Sequence, residues 1–396
     1  MVHGSVHTCG LYGSMCTMMN RYIYLYSLIL CLLSCSLENQ RTDDRSISVD
    51  IEQRDIISVY DLFSDIELIP LETTSESLVR EVSKIIPFKD RYYILDQARR
   101  RLFVFDRKGN FLFVINDQGD GPNQYINMSN VAFDQLNEKI VVLSAQNQAL
   151  YFYDMDGNYL DKKRLPDIAT GAYVSLQILN KDTICFYTAD PLNKLKFYSF
   201  SQDTIFCESQ VNESKGDIFT RDRFSIQGSY CNALNNTVYS LEKGFLTELY
   251  SWDFGDMNNS VEELEYPVRW SKEVLIKYRD DIYNSKQVNY VILEHGQSDL
   301  YRYAHLIRKN KSVHLFNDRH TGKTILFEET KEGVKFAPIY FGNDCLICPV
   351  YSDPECLLPE CISDDSQKKI QTSISEEDNP LLVRYNFKID NKLVNR

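Results

Sequence analysis

Histidines are the first side chains in this sequence to test for a metal site. Downstream of residue 34 they are His295, His305, His314 and His320, all within one short part of the chain. Their spacing contains neither His-Glu-x-x-His nor His-x-His, the arrangements that bring two imidazoles to one metal ion. His314 also lies between two apolar residues in an alternating pattern, which favours core packing. We therefore predict no metal site and no cofactor.

Two cysteine pairs could support redox or zinc chemistry. Cys345 and Cys348 have the Cys-x-x-Cys spacing, but they lie in a strand-like run, where residues three apart face opposite sides. Cys356 and Cys361 lie in an acidic segment and are better candidates for a disulfide. Free thiols are the alternative for this second pair.

Two glycine-containing segments have the composition of ligand-binding loops. Gly119-Asp-Gly-Pro lacks the helix that must follow a phosphate loop. The segment that starts at Asp154 has glycine at the fourth position of a calcium loop instead of the sixth, and no acid at the twelfth. Both therefore predict turns. No Gly-x-Ser-x-Gly segment is present, and we predict no catalytic residue.

A repeated hairpin organises the chain. Leu102–Leu112 reads as strand, turn and strand, and the pattern recurs in the same phase at Leu150–Leu160. In each copy an Asp and a Gly bracket the turn, the residues that a type I turn with a following bulge prefers. Homologous aromatic positions continue along the chain and predict six repeats, at Phe105, Tyr153, Tyr198, Tyr250, Phe316 and Tyr385.

The composition is consistent with one large β-domain. The 396 residues include 26 Tyr and 21 Phe, which favour strands, and 43% of the chain is hydrophobic. The net charge of −13 leaves no basic stripe for phosphates, so we predict no nucleic-acid partner.

These patterns together predict an all-β fold, a six-bladed β-propeller of four-stranded antiparallel blades. An isolated strand ahead of the repeats, Ile66–Leu71, is expected to close the last blade and remove a free sheet edge. Apolar residues at helical spacing over Ser271–Tyr283 predict one helix inserted between the fourth and fifth blades.

The N-terminal segment has the features of an export signal. Arg21 precedes thirteen uncharged residues, Tyr22–Ser34, and Cys35 follows to complete Leu-Leu-Ser-Cys. This ending resembles the lipobox of bacterial lipoproteins, and the resemblance implies that Cys35 is acylated. We expect a lipoprotein signal peptide at 1–34, a flexible tether at 35–50 and the propeller at 51–396. An uncleaved anchor or a plain signal peptide is the alternative.

Over roughly residues 50–390 the chain resembles the six-bladed β-propeller lipoproteins of Bacteroidetes, which are related in shape to NHL-repeat propellers. The lipobox, the Ile66–Leu71 strand and the Phe-Asp-x-x-Gly hairpins carry this resemblance, with Gly119–Tyr125 and Glu376–Pro380. It implies a lipid anchor in the cell envelope, at the outer membrane. It carries no catalytic signature.

We therefore expect a non-enzymatic module that recognises a glycan, a peptide or a partner envelope protein through the loops at the propeller rims. Tyr- and Arg-rich rims supply the binding candidates, Tyr125, Arg302, Arg319 and His320. One alternative is a hydrolase or lyase acting on a carbohydrate or peptidyl substrate, which requires acids, or His with Arg, converging in the axial channel. Another is a scaffold subunit of an outer-membrane uptake system.

Overall fold

The computed structural model describes residues 45–168, 172–190, 194–209, 223–242, 244–261, 264, 271–351, 362, 367–370, 375 and 377–388. The chain divides into a unit Met1–Ser46, of which only residues 45 and 46 are described, and a unit Ile47–Arg396. The predicted signal peptide, the lipidation residue Cys35 and the pair Cys356 and Cys361 lie outside the described residues.

Six four-stranded antiparallel sheets form a ring, so the predicted six-bladed β-propeller is confirmed. The first sheet consists of β3 (Lys84–Phe88), β4 (Arg91–Asp96), β5 (Arg101–Asp106) and β6 (Phe111–Ile115). The second consists of β7 (Asn130–Asp134), β8 (Lys139–Ser144), β9 (Ala149–Asp154) and β10 (Tyr159–Arg164). The third consists of β11 (Tyr173–Ile178), β12 (Thr183–Thr188), β13 (Leu195–Ser199) and β14 (Thr204–Ser209).

The other three sheets have the same size. The fourth sheet consists of β15 (Ser229–Cys231), β16 (Thr237–Glu242), β17 (Phe245–Asp253) and β1 (Ser46–Ser48). The fifth consists of β18 (Val291–Gln297), β19 (Tyr301–Arg308), β20 (Lys311–Asp318) and β21 (Thr324–Phe327). The sixth consists of β22 (Tyr340–Phe341), β23 (Cys345–Val350), β24 (Leu381–Phe387) and β2 (Phe63–Pro70).

Both faces of each blade are covered by neighbouring blades, which is why the strands carry continuous apolar runs. In β5, Leu102 and Val104 pack against the second sheet, whereas Phe103 and Phe105 pack against the sixth. The six aromatic positions predicted from the repeat are all at most 3% exposed. They lie in β5, β9, β13, β17, β20 and β24.

The hairpin turns show why Asp and Gly recur. Asp106 Oδ1 accepts hydrogen bonds from the backbone N–H groups of Lys108 and Asn110, at 2.8 and 2.9 Å. Asp154 repeats this arrangement with Asp156 and Asn158 at the matching positions. Gly109 and Gly157 both have positive φ, of 89° and 85°, which an L side chain rarely adopts.

The N-terminal part of the propeller closes two blades. Strand β2 pairs with β24 from Phe63↔Phe387 to Pro70↔Leu381, which confirms the predicted closing strand of the last blade. Strand β1 was not predicted, and it forms the outer edge of the fourth sheet. It lies inside the 35–50 range expected to be a tether, so regular structure begins before residue 51.

The segment between these strands crosses the fifth blade. The backbone N–H of Asp55 donates to the Leu326 carbonyl at 2.6 Å, and the N–H of Lys331 donates to the Ile57 carbonyl at 2.7 Å. A short helix, α1 (Val59–Leu62), then leads into β2.

The predicted inserted helix is confirmed as α2 (Lys272–Asn284), between β17 and β18. The Ser271 hydroxyl caps its N-terminus by accepting from the Val274 N–H at 3.2 Å. Tyr278 and Ile282 pack against Val291, the first residue of the fifth blade.

Candidate functional site

The candidate site is a cavity of about 440 Å³ at the axis of the ring, which we call the first cavity. All six blades contribute to it, because the innermost strand of each sheet, or the segment just before that strand, faces the axis. Its polar and aromatic lining includes Lys84, Gln97, Ser129, Asn130, Phe224, Ser225, Glu294, His295, Tyr303, Tyr340 and Phe341.

Hydrogen bonds between blades hold the polar groups of the first cavity in place. Lys84 Nζ of the first blade donates to Asn130 Oδ1 of the second at 3.1 Å. Ser229 Oγ of the fourth blade lies 3.1 Å from His295 Nε2 of the fifth. The lining is therefore set by the way the blades assemble.

Two adjacent residues of β18, Glu294 and His295, both line the first cavity. The register between β18 and β19 shifts at Leu293, just before them, and the pairing is regular from Glu294↔His305 onwards. The wall thus presents a carboxylate next to an imidazole that is only 8% exposed.

Aromatic rings form another part of the lining. Tyr303 stacks on Phe341 with ring centroids 4.9 Å apart and an interplanar angle of 3°. Burial raises the pKa of Tyr303 well above its usual value, so the hydroxyl remains protonated at neutral pH. That hydroxyl lies 3.0 Å from His314 Nδ1, behind the cavity wall.

A second cavity of about 630 Å³ adjoins the first, since Ile226 and Tyr340 line both. It is formed where several inner strands end, at Phe133–Leu136, at 177–180 and at 342–344. The two cavities define an axial channel with apolar, polar and charged groups along its length.

The predicted binding residues lie elsewhere. Tyr125 is fully buried, and its hydroxyl donates to the Arg100 carbonyl at 3.1 Å, so the structure removes it from the candidates for ligand contact. His320 is exposed in the turn after β20. Neither residue lines a channel cavity.

The two predicted arginines lie together at one end of the fifth blade. The Arg302 guanidinium lies over the ring of Tyr250, 5.2 Å from its centroid, and donates to Asn317 Oδ1. Arg319 donates to the Ser298 carbonyl at 2.6 Å. Both arginines thus donate hydrogen bonds to other residues of the fifth blade, and neither lines a channel cavity.

The clustered histidines belong mainly to the interior of the fifth blade. The His305 and His314 rings stack at 4.8 Å, and His305 Nε2 lies 2.6 Å from Ser312 Oγ. Burial, and then the charge of His305, lower the pKa of His314 well below its usual value. Within the described part of the chain, no group of three or more His, Cys, Asp or Glu side chains could hold a metal ion.

Cys345 and Cys348 are buried free thiols that pack in different clusters, as expected for residues on opposite sides of a strand. Burial raises the pKa of each thiol to about 12. They are therefore protonated core residues at neutral pH.

Comparison with known proteins places the chain in a family. Residues 45–386 match the family described as a domain of unknown function, DUF4934, and the chain belongs to this family. No curated protein matches the sequence. The match runs from β1 into the last strand, β24.

Two solved structures are similar to this chain to different degrees, and the first of them shares its fold. A Bacteroides fragilis protein described as exported is 18% identical and superposes with a TM-score of 0.61, over 87% of this chain and all of the other. A DUF4221 member from Bacteroides vulgatus is 10% identical with a TM-score of 0.49, over 83% of this chain and 98% of the other. Across the described residues, no helix has the length and apolar character needed to cross a membrane.

Proposed function

We propose that this chain is an envelope-anchored lipoprotein whose propeller binds a glycan, a peptide or a partner envelope protein without converting it. The observation that carries the proposal is the first cavity, which combines Lys84, Asn130, Glu294 and His295 with stacked aromatic rings. Concave sites with a few fixed polar groups among apolar side chains are typical of small-ligand binding.

The chemistry of this lining fits sugars and peptides in particular. The partly exposed ring of Tyr340 provides apolar contact, while Lys84 and Glu294 supply a hydrogen-bond donor and acceptor of opposite charge. Because interblade hydrogen bonds hold Lys84, Asn130 and His295 before a ligand arrives, little ordering entropy is lost on binding.

The envelope location is supported by the lipobox at Cys35 and by the similarity to a Bacteroides protein described as exported. Several acyl chains on Cys35 would anchor the protein durably at the outer membrane. Growth of the native host with labelled palmitate should label the wild-type protein and not a Cys35→Ser variant. Equal labelling of the two would refute the anchor.

Arrays of glycans and peptides, probed with the purified protein, test the binding function. We expect retention of a chemically related set of compounds, recovered unchanged after long incubation. The absence of any retained compound on both arrays would contradict binding of a glycan or a peptide and leave a partner envelope protein as the ligand.

A hydrolase or lyase is the second candidate, because the adjacent residues Glu294 and His295 both line the channel. A bulge at Leu293 immediately precedes them, and bulges are over-represented beside active sites. This function predicts that retained compounds are cleaved on incubation, and that Glu294→Gln abolishes the cleavage while retention persists.

A further inference from the structure

A third cavity, of about 220 Å³, lies between the first and sixth blades, and we call it the interblade pocket. Its charged lining consists of four cations and one carboxylate among the described residues. These are Lys89, Arg91, Arg107, Arg384 and Asp344. In a chain with a net charge of −13, this concentration of positive charge is distinctive.

Arg384 is the innermost cation of the interblade pocket. Its side chain is 11% exposed, and one terminal nitrogen donates to Asp344 Oδ2 at 2.6 Å. The Tyr92 hydroxyl is a second hydrogen-bond partner. The Nε–H of Arg384 is buried and has no hydrogen-bond partner among the described residues. A guanidinium held in this way retains donor capacity for an oxyanion.

The other three cations have exposed partners outside the pocket. Lys89 contacts Glu138 at 2.7 Å, where both side chains are more than half exposed. Arg107 reaches Asp90 at 3.7 Å, and Asp90 is 87% exposed. Such surface ion pairs contribute little to stability, so a ligand oxyanion can replace the protein carboxylate at little cost. Arg91 is held more firmly, because both of its terminal nitrogens donate to Asp156 at 3.1 Å and one also donates to the Met155 carbonyl at 2.6 Å.

The interblade pocket adjoins the second cavity, since Tyr340 and Asp344 line both. The four cations line the pocket and not the second cavity, so a ligand in the second cavity reaches them through a group that extends into the pocket. The partly exposed ring of Tyr340 lies at this junction and suits a sugar ring better than an extended peptide.

We propose that the interblade pocket binds the sulfate or carboxylate group of an acidic sugar whose ring occupies the adjoining second cavity. This inference rests on the proposed function in that the channel accepts a ligand, and it specifies that ligand as anionic. Arg384 is the deep oxyanion donor, and Arg107 and Lys89 close over the group from the surface.

Calorimetric titration of the purified protein with glucose 6-sulfate, glucuronate and glucose, at one fixed ionic strength, tests the pocket directly. We expect heat of binding for one or both acidic sugars and none for glucose. Sulfate and carboxylate are thereby distinguished as the source of the oxyanion. Arg384→Met should weaken the binding about tenfold, the usual effect of losing a charge-assisted hydrogen bond.

Arg107→Ala is the second variant, because Arg107 is exposed and its loss leaves the fold intact. It should weaken binding by about threefold. Arg164→Ala is the matched control, since Arg164 is also exposed and contacts an acid, Asp167, at 3.6 Å, but lies on the second blade. The control should leave affinity unchanged.

Three results would overturn the proposal: equal affinity for glucose and the acidic sugars, equal effects of Arg107→Ala and Arg164→Ala, or stronger binding of a peptide C-terminal carboxylate. Substitution of Lys84 or Glu294 tests the first cavity separately, so failure at one site does not imply failure at the other.

Discussion

At the residue scale, this fold depends on a few positions where the backbone or the charge state is restricted. Gly109 has a φ of 89°, and a Cβ added there would lie 2.0 Å from the Pro70 carbonyl oxygen of β2. The glycine is required both by the turn conformation and by the strand that closes the ring.

Gly109→Ala should therefore destabilise the protein by more than the conformational cost alone, which is of order 1 kcal/mol. Gly322→Ala is the matched control, because Gly322 has a φ of 71° and no atom within 4 Å of its added Cβ. Urea unfolding of the two variants measures the difference. If Gly109→Ala lost no more stability than Gly322→Ala, the close approach of β2 to this turn would be contradicted.

The lowered pKa of the buried His314 ring should make the stability of the protein depend on pH. Its pKa lies well below the usual 6.5 because of burial, so the folded state keeps the ring neutral while the unfolded state takes up a proton. The stability contributed by the neutral ring is complete above pH 6.5 and is lost as the pH falls below that value.

In His314→Phe, the dependence of the unfolding free energy on pH between 6 and 5 should be shallower, by up to about 1.4 kcal/mol per pH unit. Urea unfolding at several pH values measures this slope. A slope identical to that of the wild type would mean that His314 is protonated in the folded protein.

At the element scale, the N-terminal segment of the propeller links three blades. It supplies the outer strands of the fourth and sixth blades and crosses the fifth between them. Glu332 fixes its short helix by accepting from the Ser58 hydroxyl and from the Val59 N–H at 3.0 Å.

Glu332 gives a second pH-dependent prediction. Burial raises its pKa, but hydrogen bonds from Ser58, Val59 and Thr330 outweigh burial and lower the pKa from 4.5 to about 2. Because the folded pKa is depressed, the contribution is present above pH 4.5 and is lost as the pH falls towards 2. Glu332→Gln should be less stable than the wild type at pH 6, and the gap should narrow towards pH 3.

Thermal unfolding across this pH range measures the gap. Glu329→Gln is a control, because Glu329 contacts Lys335 at 3.7 Å in an exposed ion pair. A constant gap at all pH values would contradict the role given to the Glu332 carboxylate.

The sequence predicted the elements that repeat and missed those that do not. The six aromatic positions, α2 and β2 each have a periodic or capped pattern, and all three predictions are confirmed. Strand β1 is only three residues long and contains two serines, so no periodicity marks it. Tyr125 illustrates another limit, since a tyrosine beside glycines suits a rim surface as well as an interior.

At the scale of the whole molecule, the candidate site exists only because six blades meet. Lys84, Asn130 and Glu294 are far apart in the sequence and share no motif, but each lies on the innermost strand of its blade. Once the blade boundaries are known from the repeat, the residues on the first strand of each blade can be predicted to line the channel. The chemistry of the residues at those positions then determines which ligand fits.

The most direct test of the account is array binding by the wild-type protein beside the double variant Lys84→Met/Glu294→Gln, with Lys335→Ala as the control. Lys335 is exposed in an ion pair outside the first cavity. We predict that the glycans or peptides retained by the wild type are lost by the double variant and kept by the control. Equal retention by all three proteins would show that the ligand does not bind in the first cavity.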